Sequence, residues 1–208
     1  MIKSASEIRS AARATLSGHW AEAAMLTFVY CIVAWAFSAL VGGLEYVQQG
    51  LGTVATLLML PLSWGYTVTF LSNARGENDP FNVSRIFDGY KDFGRIFITI
   101  LLMQVYTLLW TLLFIIPGII KSLSYAMTPF VLRDNPEMKN NEAIELSMKM
   151  MNGHKGDLFW LYLTFIGWGI LCIFTFCIGY FWLAPYVQAS TAQFYEEVKA
   201  DYELKRER

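Results

Sequence analysis

Four stretches of this chain contain no charged residue, and their lengths restrict what it can fold into. They cover residues 23–42, 53–74, 96–120 and 158–195. An apolar helix needs ~20 residues to cross the hydrocarbon core of a bilayer, and backbone groups inside that core must be paired within the segment. Only 16% of the 208 residues are charged, against about a quarter in a soluble domain. The sequence therefore predicts an all-α, polytopic membrane protein.

Two of the apolar stretches are too long for one crossing each. The stretch 96–120 continues beyond Pro117-Gly118 with Lys121 as its one charge, and we expect a helical hairpin turn at Pro117-Gly118. The stretch 158–195 is expected to break near Ile178-Gly179. The resulting prediction is six transmembrane helices in three hairpins, near residues 21–42, 53–73, 95–116, 118–132, 157–178 and 180–198.

The distribution of basic residues predicts the orientation of these helices. The segments before the first helix, between the second and third, between the fourth and fifth, and after the sixth, together with Arg95 at the start of the third helix, hold 15 of the 16 Lys and Arg residues. Short loops rich in Lys and Arg stay in the cytoplasm. Both termini are therefore expected to be cytoplasmic. A topology of four or five spans would put the basic segments on opposite sides of the membrane.

Each predicted hairpin is preceded by a short amphipathic segment with a glycine, and each return helix has a proline at or near its start. We therefore predict a single domain, 1–208, with possible internal repeats over 1–80, 81–136 and 137–208. In the first of them, Ser4 and Glu7 fit a capping box, and Ile8, Ala12 and Leu16 form an apolar face. This helix is expected to lie in the membrane interface.

A set of sequence blocks extends over nearly the whole chain. The most specific blocks run from Ile115 to Lys121 and from Gly153 to Lys155. The others are Glu7-Ile8-Arg9 with Ala12-Arg13, Leu16, Gly18 and Trp20; Ser124-Tyr125; Asp134-Asn135-Pro136; Ala143-Ile144, Ser147 and Met151; Phe165 to Trp168; Pro185-Tyr186; and Phe194-Tyr195. With these blocks the chain resembles an uncharacterised bacterial integral membrane family, domain of unknown function 975. The resemblance implies a multi-spanning protein of the bacterial cytoplasmic (plasma) membrane, and it implies no activity.

Two groups of charged residues are candidates for contacts with other molecules. The amphipathic segments carry six basic residues that could contact anionic lipid or a protein partner, or that could serve orientation alone: Arg9, Arg13, Arg85, Lys91, Lys149 and Lys155. On the predicted outer side, Glu45 and Lys121 could form a polar site, although Lys121 could also simply extend to the interface.

The sequence contains no arrangement typical of catalysis. We predict no catalytic, cofactor-binding or metal-binding residues, because the two histidines have no converging ligands and the predicted spans contain no mid-membrane carboxylate. The net charge of −1 gives no support for a nucleic-acid partner. The expected function is a non-enzymatic envelope scaffold, regulatory or accessory module, with membrane lipids and other envelope proteins as partners. The alternative is a small-solute carrier or channel, which would need a water-filled centre rather than a packed one.

Overall fold

The computed structural model describes residues 2–42, 57–175 and 178–207. Within these ranges the chain is helical and contains no strand. The helices are α1 (Ala5–Leu16), α2 (Trp20–Gly42), α3 (Leu60–Ala74), a 3-10 helix (Val83–Tyr90), α4 (Phe93–Leu113), α5 (Ile115–Tyr125), α6 (Thr128–Asp134), α7 (Asn140–Met150), α8 (Lys155–Phe174) and α9 (Tyr180–Arg206). The predicted all-α fold is confirmed.

Four segments of the described chain are long and apolar enough to cross a membrane. They are Trp20–Ala39, Phe93–Leu113, Ile115–Asp134 and Lys155–Phe174. Large apolar side chains on these segments are exposed; Leu112, for example, is 82% exposed. Lipid rather than water suits such surfaces, and the fold is therefore that of a helical membrane protein. Helix α3, with 15 residues, is too short to be counted among these segments. Helix α9 is long enough but too polar, and its second half is charged.

Helices α3, α6 and α9 form the centre of the bundle. The side chains of Phe70 on α3, Phe130 on α6 and Phe194 on α9 are fully buried. The ring of Phe130 stacks on Tyr195 at 5.1 Å between centroids, and the indole N–H of Trp64 donates to the carbonyl of Pro129 at 2.9 Å. The long helices α2, α4 and α8 lie outside this trio and have only a few buried positions.

The amphipathic helix α1 packs against α9 and α8. Its capping box is present: the side chain of Glu7 accepts a hydrogen bond from the Ser4 backbone N–H at 2.7 Å. Lys3 pairs with Glu197, and Arg13 contacts Tyr186. The two pairs are 10 and 11 residues apart along α1 and α9, so the helices lie side by side in opposite directions. The apolar face of α1, which we expected in the membrane interface, is covered by protein instead.

The boundary between α4 and α5 differs from the predicted turn. The break lies at Phe114, which is extended, and Pro117 and Gly118 belong to the first turns of α5. Proline is tolerated there because the first N–H groups of a helix have no intrahelical acceptor. A Cβ on Gly118 would lie 2.3 Å from the Thr111 hydroxyl oxygen, so glycine permits close contact between the two helices.

The predicted helix 118–132 is interrupted. Helix α5 ends at Tyr125 and α6 begins at Thr128, with Pro129 in its first turn. A proline ring clashes with the carbonyl four residues earlier, which here belongs to Tyr125, the last residue of α5. The predicted connection at 43–52, together with Glu45, lies outside the described residues.

The 3-10 helix lies directly against α3. Two glycines make this contact possible: a Cβ on Gly65 would lie 2.1 Å from the carbonyl oxygen of Ile86, and a Cβ on Gly89 would lie 2.2 Å from that of Pro61. Backbone therefore meets backbone at both positions. The order of short, long and return helix recurs through the predicted units 1–80, 81–136 and 137–208, and an internal repeat stays a prediction.

Candidate functional site

A charged cluster built around Asp134, the last residue of α6, joins the end of α3 to the second half of α9. The guanidinium of Arg75, which directly follows α3, donates two hydrogen bonds to the Asp134 carboxylate, both at 2.7 Å. From α9, Lys199 donates at 2.7 Å and the Tyr195 hydroxyl at 2.8 Å. Arg75 also donates to Glu196 at 2.8 Å. One carboxylate therefore ties α3, α6 and α9 together.

A second cluster surrounds Glu77, just beyond α3. Arg133 and Arg85 both donate to its carboxylate. Arg133 also reaches the carbonyl of Val68 at 3.1 Å, and Arg85 reaches the Ser72 hydroxyl at 2.7 Å. Burial raises the pKa of Glu77, but the hydrogen bond from Arg85 and the charge of Arg133 outweigh it and hold that pKa below its ordinary value. Arg133 and Asp134, adjacent in sequence, thus belong to two different clusters.

A third cluster connects α9 with the start of α8. Asp201 contacts His154 at 3.0 Å and also pairs with Lys205. The hydrogen bonds from Lys205 and His154 lower the pKa of Asp201 to about 2. His154 also faces Asp157 at 3.4 Å. We refer to the three clusters, around Asp134, Glu77 and Asp201, as the charged end of the bundle.

The six predicted basic residues do not share one environment. Arg85 belongs to the Glu77 cluster, and Lys91 pairs with Asp88 at 2.7 Å. Lys149, at the end of α7, is exposed, and Lys155 begins α8. Arg9 and Arg13 lie on α1 and are described below.

Tyr186 contacts the backbone of Arg9 and the side chain of Arg13. The Tyr186 hydroxyl donates to the carbonyl of Arg9 at 3.3 Å and accepts from the Arg13 guanidinium at 3.3 Å. The guanidinium carbon of Arg13 lies 5.4 Å from the centroid of the Tyr186 ring. The Nε of Arg9 is buried and has no hydrogen-bond partner in the described part of the chain. This pair thus differs from the arginines of the charged end.

Lys121 lies on α5 and faces α4. Its ammonium group is 4.9 Å from the centroid of the Trp110 ring, a cation–π contact. Glu45, its predicted partner, lies outside the described residues. Across residues 2–42, 57–175 and 178–207, no three His, Cys, Asp or Glu side chains converge as a metal site would require.

The sequence did not indicate Asp134, Glu77 or Asp201 as candidate site residues. Asp134 follows an apolar helix directly and precedes Asn135-Pro136, which is a local signal for the end of a helix. That signal does not reveal its partners, because they come from helices distant in sequence. The arrangement fixes helix ends relative to one another.

Together, the apolar helices and the charged end define a multi-helix membrane protein whose three central helices are fastened at one end. More particularly, the chain belongs to the family described as Protein of unknown function (DUF975), which it matches over residues 1–124 and 112–202. These two matches cover nearly the whole chain and agree with the resemblance found in the sequence. No curated protein and no solved structure matches the chain significantly.

Proposed function

We propose that this chain is a six-span, non-enzymatic module of the bacterial cytoplasmic membrane that scaffolds or regulates other envelope components. The observation that carries the proposal is the packed centre. Phe70, Phe130 and Phe194, one on each of the three central helices, are fully buried, and the Phe130 ring stacks on Tyr195 of α9. The Asp134 cluster joins the same three helices. A carrier needs a polar path through its centre, and buried aromatic side chains on all three central helices argue against such a path.

The placement in the membrane follows from charge. In the six-span arrangement the charged end is cytoplasmic, because the segments that form it hold most of the Lys and Arg residues. Helices α3 and α9 then cross the membrane surrounded by α2, α4 and α8. Their shortness or polarity is tolerated because protein, rather than lipid, surrounds them.

The feature that best supports the alternative function, a carrier, is a cavity away from the centre of the bundle. A cavity of about 690 Å³ lies between α4 and α5, lined in part by Gln104, Thr107, Thr111 and Ser122. Most of its lining is apolar, and several of its residues are exposed on the outside of the bundle. Such a groove suits lipid or a neighbouring helix better than a solute path.

Reconstitution into liposomes separates the two functions. Liposomes that contain the purified chain should retain ions and small solutes as well as protein-free liposomes do. Flux above the protein-free level, reduced by replacing Gln104 or Thr107 with leucine, would overturn the proposal and support the carrier.

A second measurement tests the scaffold directly. A photo-crosslinking residue at exposed Lys149, near the charged end, should give one discrete protein adduct in native membranes. The same residue at Leu112, 82% exposed on the apolar surface, should give mainly lipid adducts. Equal patterns at the two positions would contradict a protein partner at the charged end.

A further inference from the structure

Gln104 lies near the middle of α4, one of the candidate spans. Eleven residues separate it from the start of that span at Phe93 and nine from its end at Leu113, which places it ~17 and ~14 Å from the two ends. Its side chain has only two CH₂ groups, so it cannot carry the amide to an interface as a lysine or arginine side chain near a helix end can. The amide therefore lies within the hydrocarbon wherever α4 crosses the membrane, with four crossings as with six.

The described part of the chain offers this amide no partner. The side chain of Gln104 is exposed and makes no hydrogen bond with any described residue. Its polar neighbours differ, because the hydroxyls of Thr107 and Thr111 donate to carbonyls one turn earlier in α4, each at 2.8 Å. An amide without a partner is costly in hydrocarbon, where no water replaces the missing hydrogen bonds. A group on another molecule is needed to satisfy Gln104.

Gln104 belongs to a stripe along one face of α4. Leu101, Gln104, Leu108 and Thr111 are alternately three and four residues apart, which is the spacing by which two helices pack side by side at a shallow angle. All four line the cavity of about 690 Å³ between α4 and α5, and Leu108 is 66% exposed. The stripe therefore borders an open groove that side chains of a second helix can enter.

A second copy of this chain supplies the matching group. All copies insert with the same orientation, so a two-fold axis relating two of them runs along the membrane normal. Such an axis places Gln104 of one copy at the same depth as Gln104 of the other. A carboxamide is both donor and acceptor, so the two side chains can exchange two hydrogen bonds. A foreign membrane protein would need a polar group of its own at that depth.

We propose that two copies of this chain pair through this face of α4, with their Gln104 amides hydrogen-bonded to each other in the middle of the membrane. Leu108 of each copy packs against the other copy one turn further along. A single polar residue in such a stripe fixes the register of the paired helices. The inference requires α4 to cross the membrane and does not depend on the proposed scaffold function.

Energy transfer between copies measures the pairing. The full chain, carrying a donor or an acceptor fluorophore at its C terminus, is reconstituted in phosphatidylcholine vesicles over a range of protein-to-lipid ratios. We expect the transfer to fall on dilution with lipid as a two-copy equilibrium requires. Gln104→Leu should raise the ratio at half dissociation about tenfold, because two hydrogen bonds between helices are lost. Gln104→Asn, which keeps an amide, should retain part of the pairing.

Thr107→Val is the matched control. It also removes a polar group from the lining of the groove, but the Thr107 hydroxyl is already satisfied by the carbonyl of Met103 in its own helix. We therefore expect Thr107→Val to dissociate at the same protein-to-lipid ratio as the parent chain.

Two single cysteines locate the face and leave Gln104 in place. Leu108→Cys and Leu109→Cys are compared in a chain whose three native cysteines are changed to serine. Both positions are exposed, at 66% and 56%, but successive residues of a helix point about 100° apart. A short bifunctional maleimide should therefore link two copies through position 108 and leave position 109 unlinked.

Three outcomes would overturn the pairing. They are equal effects of Gln104→Leu and Thr107→Val, equal linking at positions 108 and 109, and energy transfer that never exceeds chance proximity. Linking of position 108 to a different protein in native membranes, with no linked pair of copies, would assign the groove to a foreign helix instead. Loss of pairing with the discrete adduct at Lys149 retained would reject the pairing and leave the proposed scaffold function standing.

Discussion

At the scale of single residues, Asp134 joins three helices through one carboxylate. Replacing it with asparagine leaves Arg75 and Lys199 without their shared anion at a position where the Asp134 side chain is only 9% exposed. Removing one partner of a buried ion pair lowers the free energy of unfolding by about 3–5 kcal/mol. We therefore expect Asp134→Asn to lower the free energy of unfolding in detergent by about that amount.

The control for this variant is Asp88→Asn. Asp88 pairs with Lys91, whose side chain is 81% exposed, and exposed pairs contribute about 1 kcal/mol or less. Urea or thermal unfolding of both variants gives the comparison. Equal losses of stability would show that Asp134 does not hold the return helices together.

The sequence could indicate that Asp134 ends a helix, but not what it binds. Arg75 and Lys199 lie 59 and 65 residues away. Their pairing depends on which helices are neighbours around the bundle, and hydrophobic periodicity does not contain that information. The same limit applies to Arg133, which follows the same helix yet binds Glu77.

Asp201 should make stability depend on acid pH. Its pKa is about 2 in the folded protein, against an ordinary value of 3.8. A carboxylate whose pKa is lower in the folded protein than in the unfolded chain stabilises the fold at pH values above 3.8. That contribution disappears as the pH falls from 3.8 towards 2. We expect Asp201→Asn to show a smaller loss of melting temperature over this range than the parent.

Glu203 supplies the matched control for Asp201. It is an exposed acid two residues further along α9. Glu203→Gln should keep the acid dependence of the parent chain. If both variants behave alike, the contacts of Asp201 with His154 and Lys205 contribute nothing measurable.

At the scale of elements, the contact between α3 and the 3-10 helix brings two backbones so close together that only glycine fits between them at two positions. A Cβ at Gly65 or Gly89 would lie 2.1 or 2.2 Å from a carbonyl oxygen. Overpacking of this kind costs about 1–3 kcal/mol, and here backbone, rather than a flexible side chain, would have to move. Gly89→Ala should therefore lower the melting temperature clearly.

The control for Gly89 is Gly94. It lies in the first turn of α4, and a Cβ there would meet nothing within 4 Å. Alanine is favoured over glycine in a helix by about 1 kcal/mol, so Gly94→Ala should be neutral or stabilising. A Gly89→Ala protein as stable as Gly94→Ala would disprove the close approach.

Most helices could be predicted from the apolar stretches, while their exact ends could not. Two helices between 95 and 132 were expected because the stretch is too long for one span, and Pro117-Gly118 offered a local reason for a turn. The chain instead breaks at Phe114, a residue with no turn signal. Gly118 fits closely against Thr111 on the neighbouring helix, and the local sequence does not reveal such a contact between helices.

At the scale of the whole molecule, the number of crossings decides which parts of the chain meet the cytoplasm. If α3 and α9 cross as proposed, residue 137 lies inside and residue 178 lies outside. If only the four candidate spans cross, with the N-terminus inside, both positions exchange sides. The four-span arrangement would also place Arg75, Arg85 and Lys91 outside, against the preference of basic loops for the cytoplasm.

Single cysteines distinguish these arrangements. Glu137 and Ile178 are exposed, and each is replaced by cysteine in a chain whose native cysteines are changed to serine. In intact cells an impermeant maleimide should label position 178 and leave position 137 unlabelled; after permeabilisation both should react. The reverse pattern would reject six crossings with both termini inside and would agree with the four-span arrangement, in which α3 does not cross.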